Sequence, residues 1–265
     1  MDISFTPRTL ELTLGYRGTR FSGWARQPAG SGGDRRTVQA AVEAALTAVL
    51  GHPVSIVAAG RTDAGVHAEG QVVSFDTVGS IPPGGLRRAL NVLLPEDVWV
   101  VSAGEAPRGF HARRSALRRW YRYAVWQGEE PPTEWRGRVL ISPDALDLPA
   151  MRRACRHLLG RHDMAALVGG WTRDRRPGRS TWRTVFAADW LEPGGENHGL
   201  VLFEVGADAF LRQMVRTMVG SLLWVGRGKW TEDDFAAALR MADRRSGGPA
   251  APAEGLTLWR IEYDA

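Results

Sequence analysis

Asp63 is the first residue in this chain whose setting suggests chemistry. It stands in a run punctuated by glycine, Gly60-Arg-Thr-Asp-Ala-Gly-Val-His-Ala-Glu-Gly-Gln71, with Arg61 two residues before it and Gly65 two after. An ionised carboxylate can attack as a nucleophile or accept a proton. Glycine permits backbone conformations that other residues resist, so the run can bend sharply. Taken alone, Asp-Ala-Gly also fits an ordinary hairpin turn, because Asp and Gly are common turn residues.

The flanking residues must position that carboxylate. Val54–Ala59 and Val72–Phe75 are short, rich in Val, Ile and Phe, and read as strands either side of the run. Thr9–Tyr16 alternates apolar and polar residues and predicts a half-buried strand. Thr37 opens a helix whose Val38, Ala41, Val42, Ala45 and Val49 share one face, and Ala40 at the third position excludes a capping box. Leu86–Leu94 predicts a short helix stopped by Pro95, and Asp97–Ser102 a strand. The order β-α-β-β-α-β is that of a ferredoxin-like unit.

Gly15–Pro28 mixes Arg, Gly and aromatic residues. It fits either an RNA-facing surface or a strand and turn with Trp24 in the core. Pro107–Tyr123 interleaves Arg108, Arg113, Arg114, Arg118, Arg119 and Arg122 with Phe110, His111, Trp120, Tyr121 and Tyr123. Arginine supplies phosphate contacts and aromatic rings supply stacking faces, which favours RNA contact over a linker and a strand with Tyr121 and Tyr123 in the core. Tyr121–Val125 predicts a strand. Leu148–Leu159 predicts a helix ended by Gly160, and Thr184–Leu191 and Leu200–Val205 predict strands. Ala209–Val225 predicts a long helix capped by Asp208, with Arg216 off its apolar face beside Arg212 and Gly220. Such an arginine is either solvated or free to enter a cleft. Thr231 caps a helix to Met241, and Leu256–Ile261 predicts a last strand. Ala29–Arg36 and Thr172–Arg179 read as mobile loops, and Glu129–Arg138 as a loop.

Composition narrows the class. Hydrophobic residues make up 44% and charged residues 24%, the balance of a soluble globular protein rather than a disordered one. No apolar run approaches the roughly 20 residues that cross a bilayer, and Met1–Arg8 lacks a signal-peptide pattern, so a cytoplasmic location is expected. The single cysteine, Cys155, excludes an intrachain disulfide and a cysteine-cluster metal site. The formal charge of +5 biases the chain towards polyanions. With Lys229 the only lysine, the basic excess also reflects a general bias to arginine, and its clustering says more than its total.

Gly60-Arg-Thr-Asp-Ala-Gly-Val-His-Ala68 resembles the signature of the tRNA pseudouridine synthase A family. Six further blocks resemble the family in its order: Gly15–Trp24, Asn91–Asp97, Phe110–Arg113, Tyr121–Tyr123, Phe210–Arg216 and Ala251–Leu256. The resemblance spans nearly the whole chain. It implies an α+β fold of two ferredoxin-like (RRM-like) halves, with a central mixed or antiparallel sheet, flanking helices and a cleft between the halves. The halves expected are 1–107, carrying the aspartate loop, and 108–265, carrying the tyrosine strand, the arginine helix and the pocket leucine.

The resemblance also implies the roles. Asp63 falls on the catalytic aspartate, Tyr121 on the tyrosine that stacks on the target base, and Arg216 on the arginine that pairs with the aspartate and lowers its pKa. Leu256 falls on an apolar residue of the uracil pocket, and Arg61 on an arginine that handles the flipped nucleotide. The reaction implied is the isomerisation of uridine to pseudouridine at positions 38, 39 and 40 of the anticodon arm. It needs no cofactor and no metal, and the implied assembly is a homodimer binding tRNA. Whether the aspartate attacks covalently or abstracts a proton stays open. Ala25, Thr217 and Met164 depart from the family's usual Gln, Asn and Phe; Ala25 and Thr217 bear on RNA contacts. The alternative from another class is a non-catalytic RNA-binding or RNA-chaperone protein, which has no need of the Asp63, Tyr121 and Arg216 set. A metal-dependent nuclease is disfavoured, because no carboxylate or His cluster surrounds Asp63 in sequence.

Overall fold

The computed structural model describes residues 7–27, 35–169, 180–195 and 198–264. The loops expected at Ala29–Arg36 and Thr172–Arg179 fall wholly or mostly outside these residues. The fold is mixed α+β, with two compact units. Unit 1 takes in the described residues to Leu117 together with the stretch from Leu258; unit 2 runs from Arg118 to Thr257. Among the described residues no helix is long and apolar enough to cross a membrane.

Unit 1 is built on β1 (Arg8–Tyr16), α1 (Val38–Leu50), β2 (Val57–Ala58), β3 (His67–Thr77), α2 (Pro83–Leu93) and β4 (Val98–Glu105). β1 pairs antiparallel with both β3 and β4, and β2 pairs antiparallel with β3, which is the ferredoxin-like order. The apolar alternation of β1 buries Leu10, Leu12 and Leu14. The Thr37 hydroxyl accepts from Ala40 N–H and caps α1.

Two expectations shift here. The strand expected over Val54–Ala59 shrinks to two residues, because Ile56 N–H donates to the Glu43 side chain at 3.0 Å. The strand expected from Val72 instead begins at His67, so the last five residues of the glycine-punctuated run are sheet.

Unit 2 holds β5 (Arg118–Gln127), β6 (Leu140–Ser142), α3 (Leu148–Cys155), β7 (Gly160–Asp163), β8 (Trp182–Leu191), β9 (Leu200–Ala207), α4 (Met214–Gly226) and α5 (Glu232–Met241). Its strands run in the order β5-β9-β8-β7 with antiparallel neighbours, and β6 lies parallel to β5. The helix expected to Leu159 is α3 plus a 3-10 turn, Arg156–Leu158. α5 carries a full capping box between Thr231 and Asp234. Cys155 is buried, as its place in a helical pattern suggests, and burial pushes its thiol pKa up. The last strand, β10 (Leu256–Glu262), begins in unit 2 and continues as part of unit 1.

The start of the long helix is the largest correction. Asp208 does not cap it. Its Oδ1 accepts from Thr184 N–H at 3.1 Å and Ala209 N–H at 2.6 Å, tying β8 to the end of β9. α4 begins only at Met214, after Gln213, whose φ of 55° puts a non-glycine residue in the left-handed region. Arg212 is therefore outside the helix and is not beside Arg216 on its face.

Candidate active site

Asp63 sits in the short connection between β2 and β3, and the Gly15–Trp24 stretch forms its frame. Gly18 lies so close to the connection that a Cβ there would be 2.0 Å from Val66 O. Gly18 N–H donates to His67 Nδ1 at 3.2 Å, and Trp24 N–H donates to Thr62 O at 3.0 Å. Gly65, at φ +80°, donates its N–H to Phe21 O at 3.4 Å. The Asp63 carbonyl accepts from Val66 N–H at 3.2 Å and closes the turn. Below it, the Tyr16 hydroxyl and Thr62 Oγ1 are 2.8 Å apart. Gln71 bonds both ways with Gly60, donating to its carbonyl at 2.6 Å and accepting from its N–H at 3.3 Å.

Burial divides the turn sharply. Thr62, Val66, His67 and Gln71 are buried, Asp63 is half-buried, and Arg61 is exposed. The backbone is thus held by interior groups while the Asp63 side chain is only half-buried. Tyr16 is fully buried, and burial pushes its pKa up to about 12 against the opposing pull of hydrogen bonds from Thr62 and Gln71. The rings of Tyr16, Phe21 and Trp24 are all buried, so for the aromatics of Gly15–Pro28 the core reading holds and the RNA-facing reading fails.

The Asn91–Asp97 block also braces this frame. Asn91 bonds both ways with the Val100 backbone, at 3.0 and 2.7 Å. Arg36 clamps the buried Asp97 carboxylate with two contacts of 2.6 Å, and Arg20 Nε adds one at 3.2 Å. Burial raises the Asp97 pKa, but the hydrogen bond and charge of Arg36 and the charge of Arg20 outweigh it and hold it below the usual carboxylate range. Arg17 N–H donates to the Asp97 carbonyl at 2.9 Å, linking the clamp to Gly18.

In the Phe110–Arg113 block, Ala112 is fully buried, its N–H donates to Ser74 Oγ at 3.0 Å, and its carbonyl accepts from the Tyr263 hydroxyl at 2.8 Å. Phe110 stacks against Tyr263 with ring centroids 5.0 Å apart.

Unit 2 gathers Tyr121, Arg216 and the segment before Leu256. Tyr121, on β5, is 8% exposed, and its ring meets Phe210 edge-on at 5.1 Å. Arg216, on α4, is half-buried and donates from Nε to Ala251 O at 2.7 Å, while Ala251 N–H returns a bond to Arg216 O at 2.9 Å. It is neither a solvated side chain nor one without a structural task. The Tyr123 hydroxyl donates to Pro252 O at 3.0 Å. A Cβ on Gly220 would strike Pro249 O at 1.9 Å, and one on Gly255 would strike the Tyr123 ring at 2.6 Å. α4 and β5 therefore grip residues 249–255 from both sides. That grip delivers Leu256, buried at the start of β10.

Of the basic segment, Arg122 is bound by Glu204 at 2.6 Å and Arg119 by Asp208 O at 2.6 Å. Arg108, Arg113, Arg114 and Arg118 are exposed. Tyr121 and Tyr123 are both buried, so neither ring stands on the open surface of the strand. Thr217 is fully buried, so the departure there acts on packing beneath Arg216 rather than on a surface RNA contact. The sequence assigns no individual role to Gln213, and none to Tyr123 beyond stacking or core packing, yet both set the geometry around Arg216. No local signal marks either, because their partners lie far away in the chain.

The model of the tRNA pseudouridine synthase family matches residues 14–113 and 154–264. A tRNA pseudouridine synthase A of Chloroflexus aurantiacus is 43% identical over 257 residues, covering 97% of this chain and 89% of that protein. The enzyme of that name from Moorella thermoacetica is 41% identical over 254 residues, covering 96% and 99%. The one from Frankia casuarinae is 44% identical over 258 residues, covering 96% and 89%. The buried frame around Asp63 and the grip of Arg216 on Ala251 are formed by the blocks that resemble the family, and the chain belongs to the tRNA pseudouridine synthase family.

Proposed function

We propose that Asp63 is the catalytic carboxylate of a tRNA pseudouridine synthase that acts on uridines 38, 39 and 40 of the anticodon arm. The enzyme is an isomerase: it converts uridine in tRNA to pseudouridine. The uracil N1–C1′ bond breaks, the base turns, C5 joins C1′, and the C5 proton leaves as N1 gains one. Atoms and electrons balance without an oxidant or a net water.

The observation that supports the role of Asp63 is the contrast between its half-buried side chain and the buried, doubly bonded turn that carries it. A fixed carboxylate can meet a reacting atom with little reorganisation. Asp63 attacks the uridine or removes a proton from it; either step needs the ionised form. Arg216 supplies a guanidinium to the same reaction, the role implied by its place in the Phe210–Arg216 block. The uridine leaves its stack, Tyr121 stacks on it, Leu256 lines the uracil pocket, and Arg61 handles the flipped nucleotide. The enzyme works in the cytoplasm as a homodimer.

Asp63→Asn tests the reading. With unmodified tRNA and no added metal, wild type forms pseudouridine. The variant binds tRNA, folds, and forms none above background; substantial turnover by the variant overturns the role of Asp63.

A further inference from the structure

Glu43, on α1, carries a carboxylate in the interior of unit 1 and is only 5% exposed. Its Oε1 accepts from Ile56 N–H and from Gln39 Nε2, both at 3.0 Å. Its Oε2 is buried as well, makes no hydrogen bond among the described residues, and lies 3.1 Å from Arg26 Nε. That contact is an ion pair without hydrogen-bond alignment, and it makes Arg26 the counter-charge of a buried acid. The Arg26 side chain is nevertheless 59% exposed, and among the described residues neither Nη makes a hydrogen bond. Its backbone is tied down too. Arg26 N–H donates to Gln39 Oε1 at 3.4 Å, and Gln39 N–H donates to Trp24 O at 3.0 Å. Trp24 N–H in turn holds the carbonyl of Thr62, the residue before Asp63. Two residues of chain span at most about 7 Å, so the Arg26 backbone stays near the Asp63 turn.

We propose that Arg26, oriented by the buried Glu43, grips a phosphate of the substrate tRNA beside the reacting uridine. The inference rests on the reading of Asp63 as the carboxylate that meets that uridine. A guanidinium is a planar fork: its Nε side can stay against Glu43 while its Nη groups meet a phosphate. Glu43 touches no RNA and is a positioning residue. Burying its carboxylate costs hydration, and an arginine on a flexible stem loses rotamer freedom when it binds. Fixing Arg26 in advance removes part of that second cost from tRNA binding. Ala25, next to it, has no polar side-chain atom, so Arg26 is the residue of this pair that can bond to RNA.

The test uses the full chain and an unmodified tRNA transcript, with affinity measured over a range of salt. Arg26→Ser weakens binding about fivefold and lowers the salt dependence by about one phosphate contact. Arg26→Lys restores the salt dependence but only part of the affinity, because an ammonium group cannot span Glu43 and a phosphate together. Glu43→Gln also weakens binding, although it removes a negative charge. Tighter binding by Glu43→Gln shows that the acid merely opposes RNA, and overturns its positioning role. Arg26→Ser/Glu43→Gln binds no more weakly than Arg26→Ser; losses that multiply overturn the claim that Glu43 acts through Arg26. Should Glu43→Gln fail to fold, the exposed Arg26 variants still decide the phosphate contact. A lower melting temperature in Arg26→Ser with unchanged affinity and salt dependence makes Arg26 a structural counter-charge alone and overturns the proposal. Full turnover by Asp63→Asn overturns the reading of Asp63 instead, while weakened binding by Arg26→Ser still supports the contact.

Discussion

Gly18 and Val66 approach so closely that no side chain fits between them: a Cβ on Gly18 would lie 2.0 Å from the Val66 carbonyl oxygen. Gly18→Ala must push the backbone after Asp63 outwards, because a carbonyl cannot yield as a flexible side chain would. The substitution is expected to cost about 1–3 kcal/mol in stability. Pseudouridine formation at saturating tRNA falls at least about tenfold, since misplacing a reacting group by about an ångström costs on that scale. Denaturant unfolding and single-turnover assays check the two parts separately.

Tyr16 gives the fold an alkaline limit. Its pKa is about 12 in the folded chain and 10.0 as the ordinary value. A raised folded pKa means its contribution is complete below pH 10 and is lost as pH climbs from there towards 12. Melting temperature therefore declines above pH 10, and Tyr16→Phe declines less steeply. At neutral pH the same variant loses about 1 kcal/mol with the Thr62 hydrogen bond. An equal slope for both proteins counts against Tyr16 as a source.

Asp97 sets the opposite limit. Its folded pKa lies below the ordinary carboxylate value, so its contribution is present above that value and is lost as pH falls through the folded one. Asp97→Asn is less stable than wild type at pH 7, and the gap narrows on acidification. Thermal melts at descending pH measure it. A constant gap refutes the Arg36 clamp as its origin.

Gln213 distinguishes conformation from chemistry. Its left-handed backbone sets the first turn of α4, three residues before Arg216. Gln213→Gly is expected to keep stability within about 1 kcal/mol, whereas β-branched Gln213→Val costs about 1–2 kcal/mol more, because only the latter strains at positive φ. Glycine and valine variants of equal stability refute that account.

Arg216 is expected to serve two functions, and substitutions separate them. Arg216→Ala removes the bond to Ala251 O and loosens residues 249–255, which hold Leu256 in place. Arg216→Lys keeps a charge and a donor but not the planar guanidinium. Activity is expected to fall at least about tenfold in both, while thermal stability falls more in Arg216→Ala than in Arg216→Lys. Full activity in Arg216→Lys removes the guanidinium from the chemistry.

Local patterns revealed some elements and hid others. The alternation of Leu10, Leu12 and Leu14 and the Thr37 cap are short-range signals, and both appear where sequence puts them. Asp208 misleads because it has the chemistry of a cap but uses its oxygen to join two strands. His67 and Gln71 read as loop residues because they are polar. They are buried because their side chains satisfy the backbone of Gly18 and Gly60, 49 and 11 residues away. Arg216 could be marked as off the apolar face, but its partner is a backbone carbonyl that no residue type announces. The candidate roles were legible only through the family signature, since a lone Asp-Ala-Gly is a common turn.

Unit 1 needs a strand that follows all of unit 2 in the chain. Ala112 and Leu117 are tied to Tyr263 and Glu262, and Gly70 leaves room for the Trp259 carbonyl. All of unit 2 leaves the ribosome between these halves of one core, a delay of roughly 10–30 s at ordinary elongation rates. Until then the edge of β3 that receives β10, and the apolar groove of Ala59, Val72 and Ala112 that takes Ile261, stay uncovered. The nascent chain therefore carries unit 1 with an incomplete core until β10 emerges, and a stop codon before Leu258 leaves the aspartate-bearing unit, not unit 2, without its closing strand.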